Sequence, residues 1–200
     1  MERIVRLTGG KPTRTFSCEC PFNQESIMDL KQIFRQVPDF PKPGINFIDI
    51  TTLLQNTEAF RWTIDALAAP YEEKKIDKIA AIESRGFIFG APLALKLNAG
   101  LAILRKPHKL PADTYAHTYD LEYGQDTIEI HKDAINQGDR VIVIDDLLAT
   151  GGTVQASLEL LKNFTCTIEG ISFVVELTFL NGRKKLHPHP VYALTAYDSE

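Results

Sequence analysis

Two adjacent carboxylates, Asp145 and Asp146, stand between the β-branched run Val141-Ile142-Val143-Ile144 and the small-residue turn Ala149-Thr150-Gly151-Gly152-Thr153. Ionised carboxylates only accept hydrogen bonds, so the pair suits the vicinal hydroxyls of a ribose, and it can hold a divalent cation through water. The turn offers backbone N–H groups, two hydroxyls and two residues without a Cβ just ahead of a helix start, which is the chemistry of a phosphate site. Carboxylates placed directly against a phosphate would repel it. A sugar therefore lies between them, and the segment reads as a grip on a phosphorylated ribose. An acidic strand end with a tight connection is the alternative; it accounts for an isolated Asp-Asp better than for the whole run from Val141 to Thr153.

A second loop carries residues of the same kind. After the apolar run Ile79-Ala80-Ala81-Ile82 come Glu83-Ser84-Arg85-Gly86-Phe87, a bend followed by a helix start. Its N–H donors and the planar fork of Arg85 suit phosphate oxygens, the alternative being an Arg85–Glu83 ion pair. The stretch from Arg105 to Gly124 is long and polar, stiffened by Pro107 and Pro111 and charged by Lys106 and Lys109, so it reads as a mobile cover. Glu122 within it is either a general acid/base or an exposed hairpin glutamate.

These loops need a scaffold that brings them together. Val141 to Ile144 is too short for a helix and apolar throughout, as expected of a strand buried on both faces of a parallel sheet. Further strands are expected at Ile45–Ile48, Ile79–Ile82, Leu101–Leu104, Ile171–Val175 and Val191–Thr195, with a polar segment closing near Thr127–His131. A helix is predicted from a Ser26/Asp29 cap through Ile27, Leu30, Ile33, Phe34 and Val37, stopping before Pro38. Others are expected from Glu58 to Tyr71, from the Glu83 loop to Leu97, and after Thr153, where Val154, Leu158 and Leu161 share one face. Alternating strands and helices give an α/β fold with right-handed parallel crossovers, and both ligand-type loops then fall at the carboxyl edge of one sheet.

Composition excludes more than it identifies. Two hundred residues, 44% hydrophobic, allow one domain with a substantial core, and no apolar run is long enough to span a bilayer. A net charge of −4 argues against a nucleic-acid surface; the basic clusters Arg105–Lys109 and Arg183–Lys185 read as solvated faces. Cys18, Cys20 and Cys166 cannot all pair, which favours a reducing cytoplasm. His187-Pro188-His189 reads as a loop. Residues 1–28 show no sustained period and no signal-peptide pattern, and are expected to be a poorly ordered extension ahead of a single domain over residues 29–200.

The segment Val143 to Thr153 resembles the phosphoribosyl pyrophosphate (PRPP) signature of type I phosphoribosyltransferases, in the two-leucine form of the adenine-specific members. Four further blocks agree: Asp39-Phe40-Pro41-Lys42-Pro43-Gly44-Ile45, Glu83-Ser84-Arg85-Gly86-Phe87-Ile88-Phe89-Gly90, Leu104-Arg105-Lys106-Pro107-His108-Lys109-Leu110-Pro111, and Leu121-Glu122-Tyr123-Gly124. The resemblance implies the fold of that family, a mainly parallel central sheet flanked by helices with a small N-terminal hood and a flexible loop. It implies transfer of a 5-phosphoribosyl group from PRPP to adenine, giving AMP and pyrophosphate, with Mg²⁺ and as a homodimer. In that assignment Ala149, Thr150, Gly151, Gly152 and Thr153 hold the 5′-phosphate. Glu83, Ser84, Arg85, Arg105 and Lys109 serve pyrophosphate, with a cis peptide between Glu83 and Ser84. Asn46, Phe47 and Ile48 meet adenine, the first and last through main chain. Glu122, Asp145, Asp146 and Arg85 are the catalytic set; no direct protein ligand of Mg²⁺ is assigned, and Asp145 and Asp146 can hold it through water. Ile48 stands where relatives commonly carry arginine. A 6-oxopurine phosphoribosyltransferase and a non-catalytic PRPP- or purine-sensing regulator are the alternatives.

Overall fold

The computed structural model describes residues 28–120 and 124–199. In chain order its elements are β1 (Arg35–Val37), β2 (Phe47–Asp49), α1 (Thr51–Gln55), α2 (Thr57–Ala68), β3 (Lys78–Ile82), α3 (Gly86–Lys96), β4 (Gly100–Leu104), β5 (Thr114–Asp120), β6 (Gln125–His131), β7 (Arg140–Ile144), β8 (Leu147–Leu148), α4 (Gly152–Leu161), β9 (Thr167–Leu177) and β10 (Val191–Tyr197). Strands β10, β9, β7, β3 and β4 lie side by side in that order, all parallel, and β8 adds to β9. The α/β architecture with a mainly parallel central sheet is the expected one.

Burial on both faces of β3 and β7 follows from their composition. Alternate side chains point to opposite faces. Ile79, Ala81, Ile142 and Ile144 enter the core under α2 and α3 with Leu67, Phe89 and Leu93. Ala80, Ile82, Val141 and Val143 enter the opposite core under α4 with Val154, Leu158 and Leu161. Asn56 starts α2 by accepting the Ala59 N–H through its side chain at 3.0 Å, an N-cap worth about 1 kcal/mol.

Two expectations are corrected. The helix over residues 27–37 is absent from the described part: a short 3-10 turn, Leu30–Gln32 capped by Asp29, leads into β1, which pairs antiparallel with β2. Its apolar residues serve a strand-paired hood, and Ile27 lies outside the described residues. The polar excursion is largely a β-hairpin, β5 against β6 in register from Thr114↔His131 to Asp120↔Gln125. It is anchored because Ile128, Ile130 and Tyr115 join the α4-side core. Arg183 to Lys185 are exposed, as expected of a solvated face, although Arg183 also forks onto buried Glu176 of β9 and donates to the Val191 carbonyl at 2.7 Å. The expected extension, Met28 apart, lies outside the described residues, as do Cys18 and Cys20. His187 to His189 is a loop, as read.

Candidate active site

The carboxylate pair leaves β7 at the carboxyl edge of the sheet, and hydrogen bonds hold its main chain. Asp145 donates its N–H to the Ser172 carbonyl at 3.2 Å, and the Asp146 carbonyl accepts from Val174 and Val175 at 3.0 and 2.9 Å. Asp146 is 2% exposed, and its carboxylate is ion-paired with Arg85, Nε to Oδ2 2.9 Å, while Oδ2 accepts no hydrogen bond. Burial raises Asp145 well above the ordinary carboxylate range, and the Asp146 charge pushes it further. Burial raises Asp146 as well, while Arg85 pulls it down. Arg85 thus offsets part of the burial cost at Asp146, whereas Asp145 has both its burial and its neighbour's charge against it.

The two ligand-type loops converge as expected. A Cβ built on Gly86 would lie 2.8 Å from the Ile144 carbonyl oxygen and 3.1 Å from Asp145 Oδ1. Only a glycine lets the start of α3 come this close to the acid pair. The Glu83–Ser84 peptide is cis, as the resemblance implied. Arg85 pairs with Asp146 instead of Glu83. Glu83 has other partners: Arg105 Nε at 3.3 Å, the Lys106 N–H at 2.9 Å and Lys109 Nζ. Burial pushes Glu83 up, but Lys109, the Lys106 amide and Arg105 together hold it below the usual glutamate value. All five residues expected to serve pyrophosphate thus sit around one bend.

Gly151, with φ of 77° in the left-handed region, opens α4 as its N-cap, and Gln155 returns the first helical bond to the Gly151 carbonyl at 2.9 Å. The first amides of a helix have no partner within it, so the N–H groups after Gly151 face outward beside the hydroxyls of Thr150 and Thr153. The hood supplies the third wall. The Phe47 ring packs edge-on against Phe40 at 5.3 Å, and the Arg85 guanidinium lies 5.9 Å from its centroid. Asn46 donates Nδ2–H to Gln36 Oε1 at 3.1 Å, with its own Oδ1 buried and unpartnered. The Ile48 side chain is core, so this residue offers only main chain to a ligand. Glu122 lies outside the described residues.

Several contacts had no signal in the types of ligand-binding residues. Gly182 packs on the turn from Ala149 to Thr153: a Cβ there would overlap the Ala149 carbonyl oxygen, and one on Gly151 would lie 2.7 Å from the Gly182 carbonyl oxygen. Asn181-Gly182 is a turn dipeptide, the only clue in the sequence. Tyr119, on the hairpin, reaches Thr153 Oγ1 at 3.2 Å.

Among the described residues no group of three or more His, Cys, Asp or Glu is arranged to hold a metal ion. The acid pair, one member committed to Arg85, fits a hard cation held mainly by substrate oxygens and water. No helix of the described residues is long and apolar enough to cross a membrane.

Residues 50–192 match the model of the phosphoribosyl transferase domain. The adenine phosphoribosyltransferase of Acaryochloris marina is 56% identical over 170 residues, 85% of this chain and 100% of the relative; that of Acidobacterium capsulatum is 51% identical over 187 residues, 94% and 98%. Among solved structures, adenine phosphoribosyltransferase from Thermoanaerobacter pseudethanolicus superposes with a TM-score of 0.82 at 49% identity, covering 86% of this chain and all of that one. The Saccharomyces cerevisiae enzyme, solved with adenine and an imino-altritol bisphosphate, gives 0.78 at 44% identity over 82% and 96%. The chain belongs to the adenine phosphoribosyltransferase family.

Proposed function

We propose that this site transfers the 5-phosphoribosyl group of PRPP to adenine, forming AMP and pyrophosphate, with residues 29–200 acting as one domain. The observation that carries the reading is the position of Arg85, bound to Asp146 at 2.9 Å and 5.9 Å from the Phe47 ring. Ribose, pyrophosphate and base sites thereby meet around one guanidinium.

The phosphate turn from Ala149 to Thr153 fixes the 5′-phosphate, and Asp145 and Asp146 accept the ribose hydroxyls. Remote binding energy becomes alignment of C1′. A ring nitrogen of adenine, packed on Phe47 and read by the main chain of Asn46 and Ile48, attacks C1′ as the bond to the pyrophosphate oxygen breaks. Arg85, Arg105 and Lys109 stand where negative charge develops on the leaving group. Glu122 takes the proton that adenine loses. Asp145 and Asp146 would hold Mg²⁺ through water, and the cation would supply further neutralisation of that leaving group.

The homodimer is supported by an apolar face. Ile88 and Leu95, two turns apart on α3, are exposed, Leu95 by 84%, and Leu101 on the edge strand β4 lies near Gly90 of the same helix. A cytoplasmic location fits the half-buried free thiol of Cys166.

The test is incubation with PRPP, Mg²⁺ and each purine base in turn. AMP from adenine alone is expected. IMP or GMP would move the assignment to the 6-oxopurine enzymes, and PRPP binding without product would make the protein a sensor.

A further inference from the structure

Tyr119 lies on β5, and no role toward a substrate has so far been assigned to it. Its hydroxyl is 3.2 Å from Thr153 Oγ1 and 3.1 Å from Oδ2 of Asp126, its partner across the hairpin. Lys106 completes the group: it pairs with Asp126, its Nζ is 3.5 Å from the Tyr119 hydroxyl, and it stands 5.9 Å from the centre of that ring. The Lys106 amide in turn donates to Glu83 Oε2 at 2.9 Å. An unbroken line of polar contacts runs from the Glu83 bend through Lys106, Asp126 and Tyr119 to the Thr153 hydroxyl.

Counting protons along this line gives it a direction. Tyr119 has one O–H and Thr153 has one, while ionised Asp126 can only accept. In the observed geometry the Tyr119 O–H is the donor to Thr153 Oγ1, and Asp126 is satisfied by Lys106. The Thr153 proton is then left to point at a phosphate in the turn.

We propose that Tyr119 is a positioning residue for the 5′-phosphate: it orients the Thr153 hydroxyl and so ties the docking of the hairpin to the filling of the phosphate turn. This rests on the assignment of residues 149–153 to the phosphate. Tyr119 also packs against the α4-side core. Phenylalanine keeps that packing and removes only the hydroxyl.

The experiment compares wild type, Tyr119→Phe, Thr153→Val and the double variant, measuring KM for PRPP and adenine, kcat, affinity for AMP and for adenosine, and melting temperature. Tyr119→Phe should raise the PRPP KM and the AMP Kd by about five- to tenfold, the loss of one hydrogen bond, and leave adenosine affinity, adenine KM and melting temperature as in wild type. The double variant should bind PRPP no worse than Thr153→Val alone, because the tyrosine acts through the threonine. An unchanged PRPP KM in Tyr119→Phe, equal losses for AMP and adenosine, or additive losses in the double variant would each overturn the proposal. If Thr153→Val binds PRPP and AMP normally while Tyr119→Phe does not, the phosphate-turn assignment itself fails, and this proposal with it.

Discussion

Gly151→Ala tests whether the phosphate turn is shaped by its contact with the Gly182 segment. Two penalties are visible. The φ of 77° lies where a Cβ crowds the following carbonyl, costing about 1–2 kcal/mol. The new methyl also sits 2.7 Å from the Gly182 carbonyl oxygen, where ordinary contact begins near 3.4 Å, so something must retreat by several tenths of an ångström. Overpacking of this kind costs about 1–3 kcal/mol. Gly182 is poorly placed to yield, because the next residue, Arg183, is tied to Glu176 and to the Val191 carbonyl at 2.7 Å. The phosphate turn gives way instead. A displacement approaching 1 Å there should weaken PRPP and AMP binding by about 100-fold, measured as KM and by calorimetry. The melting temperature should fall by about 4–15 °C. Gly138→Ala is the matched control: its φ is 84°, nothing lies within 4 Å of the added methyl, and its turn has no part in the proposed site. It should lose stability through backbone strain and keep the wild-type PRPP KM. If Gly151→Ala binds AMP within twofold of wild type and melts like Gly138→Ala, the collision does not shape the turn.

Asp146→Asn removes the charge that Arg85 engages at 2.9 Å. Turnover at low PRPP should drop by about 10- to 100-fold, the range for a hydrogen bond to a charged group, with little loss of stability because burial already disfavours that charge; unaltered kcat/KM for PRPP would contradict its role at the ribose. Glu83 bears on acid stability. Its folded pKa lies below the unfolded value, so the stability it contributes is complete above the unfolded pKa and disappears as pH falls through the folded one. Glu83→Gln should therefore flatten the melting-temperature profile below about pH 5, and an acid limb identical to wild type would refute the net effect of Lys109, Lys106 and Arg105. If the proposed homodimer uses the exposed face of α3, Leu95→Glu should give monomers by light scattering with an unchanged far-UV spectrum; a dimer of wild-type strength would contradict that interface.

The parts legible in the sequence are those whose signal is local. Val141 to Ile144 reads as a two-sided strand because its four residues are all apolar, and the acids and glycines after it carry their chemistry with them. What was misread depends on partners distant in the chain. Arg35 to Val37 prolongs a plausible helical period, yet these residues pair with Phe47 to Asp49, and pairing across the turn overrides the local preference. The hairpin was obscured because Thr114 to Asp120 alternates polar with aromatic groups and presents few aliphatics. Its core-facing residues, Ile128 and Ile130, lie on the returning strand. Gly182 carries no ligating atom. Its importance comes entirely from the backbone it touches, which a reading by residue type does not register.

Two features of the site then explain each other. Its spacing is set by main chain against main chain, Gly86 on Ile144 and Asp145 at one end and Gly182 on Ala149 and Gly151 at the other, and such contacts do not adjust by rotamer changes. Its charged side chains, by contrast, are paired with one another: Arg85 with Asp146, Arg105 and Lys109 with Glu83, Lys106 with Asp126. In the proposed site, pyrophosphate reaching Arg85, Arg105 and Lys109 would therefore exchange carboxylate partners for phosphate oxygens on a rigid frame. Affinity in such a site depends on how well the displaced Glu83 and Asp146 are satisfied afterwards. For Asp146, ribose hydroxyls and the remaining backbone dipoles can serve, and for Glu83 the Lys106 amide stays in place at 2.9 Å. The two acids nearest the leaving group need not become unpaired buried charges when the substrate arrives.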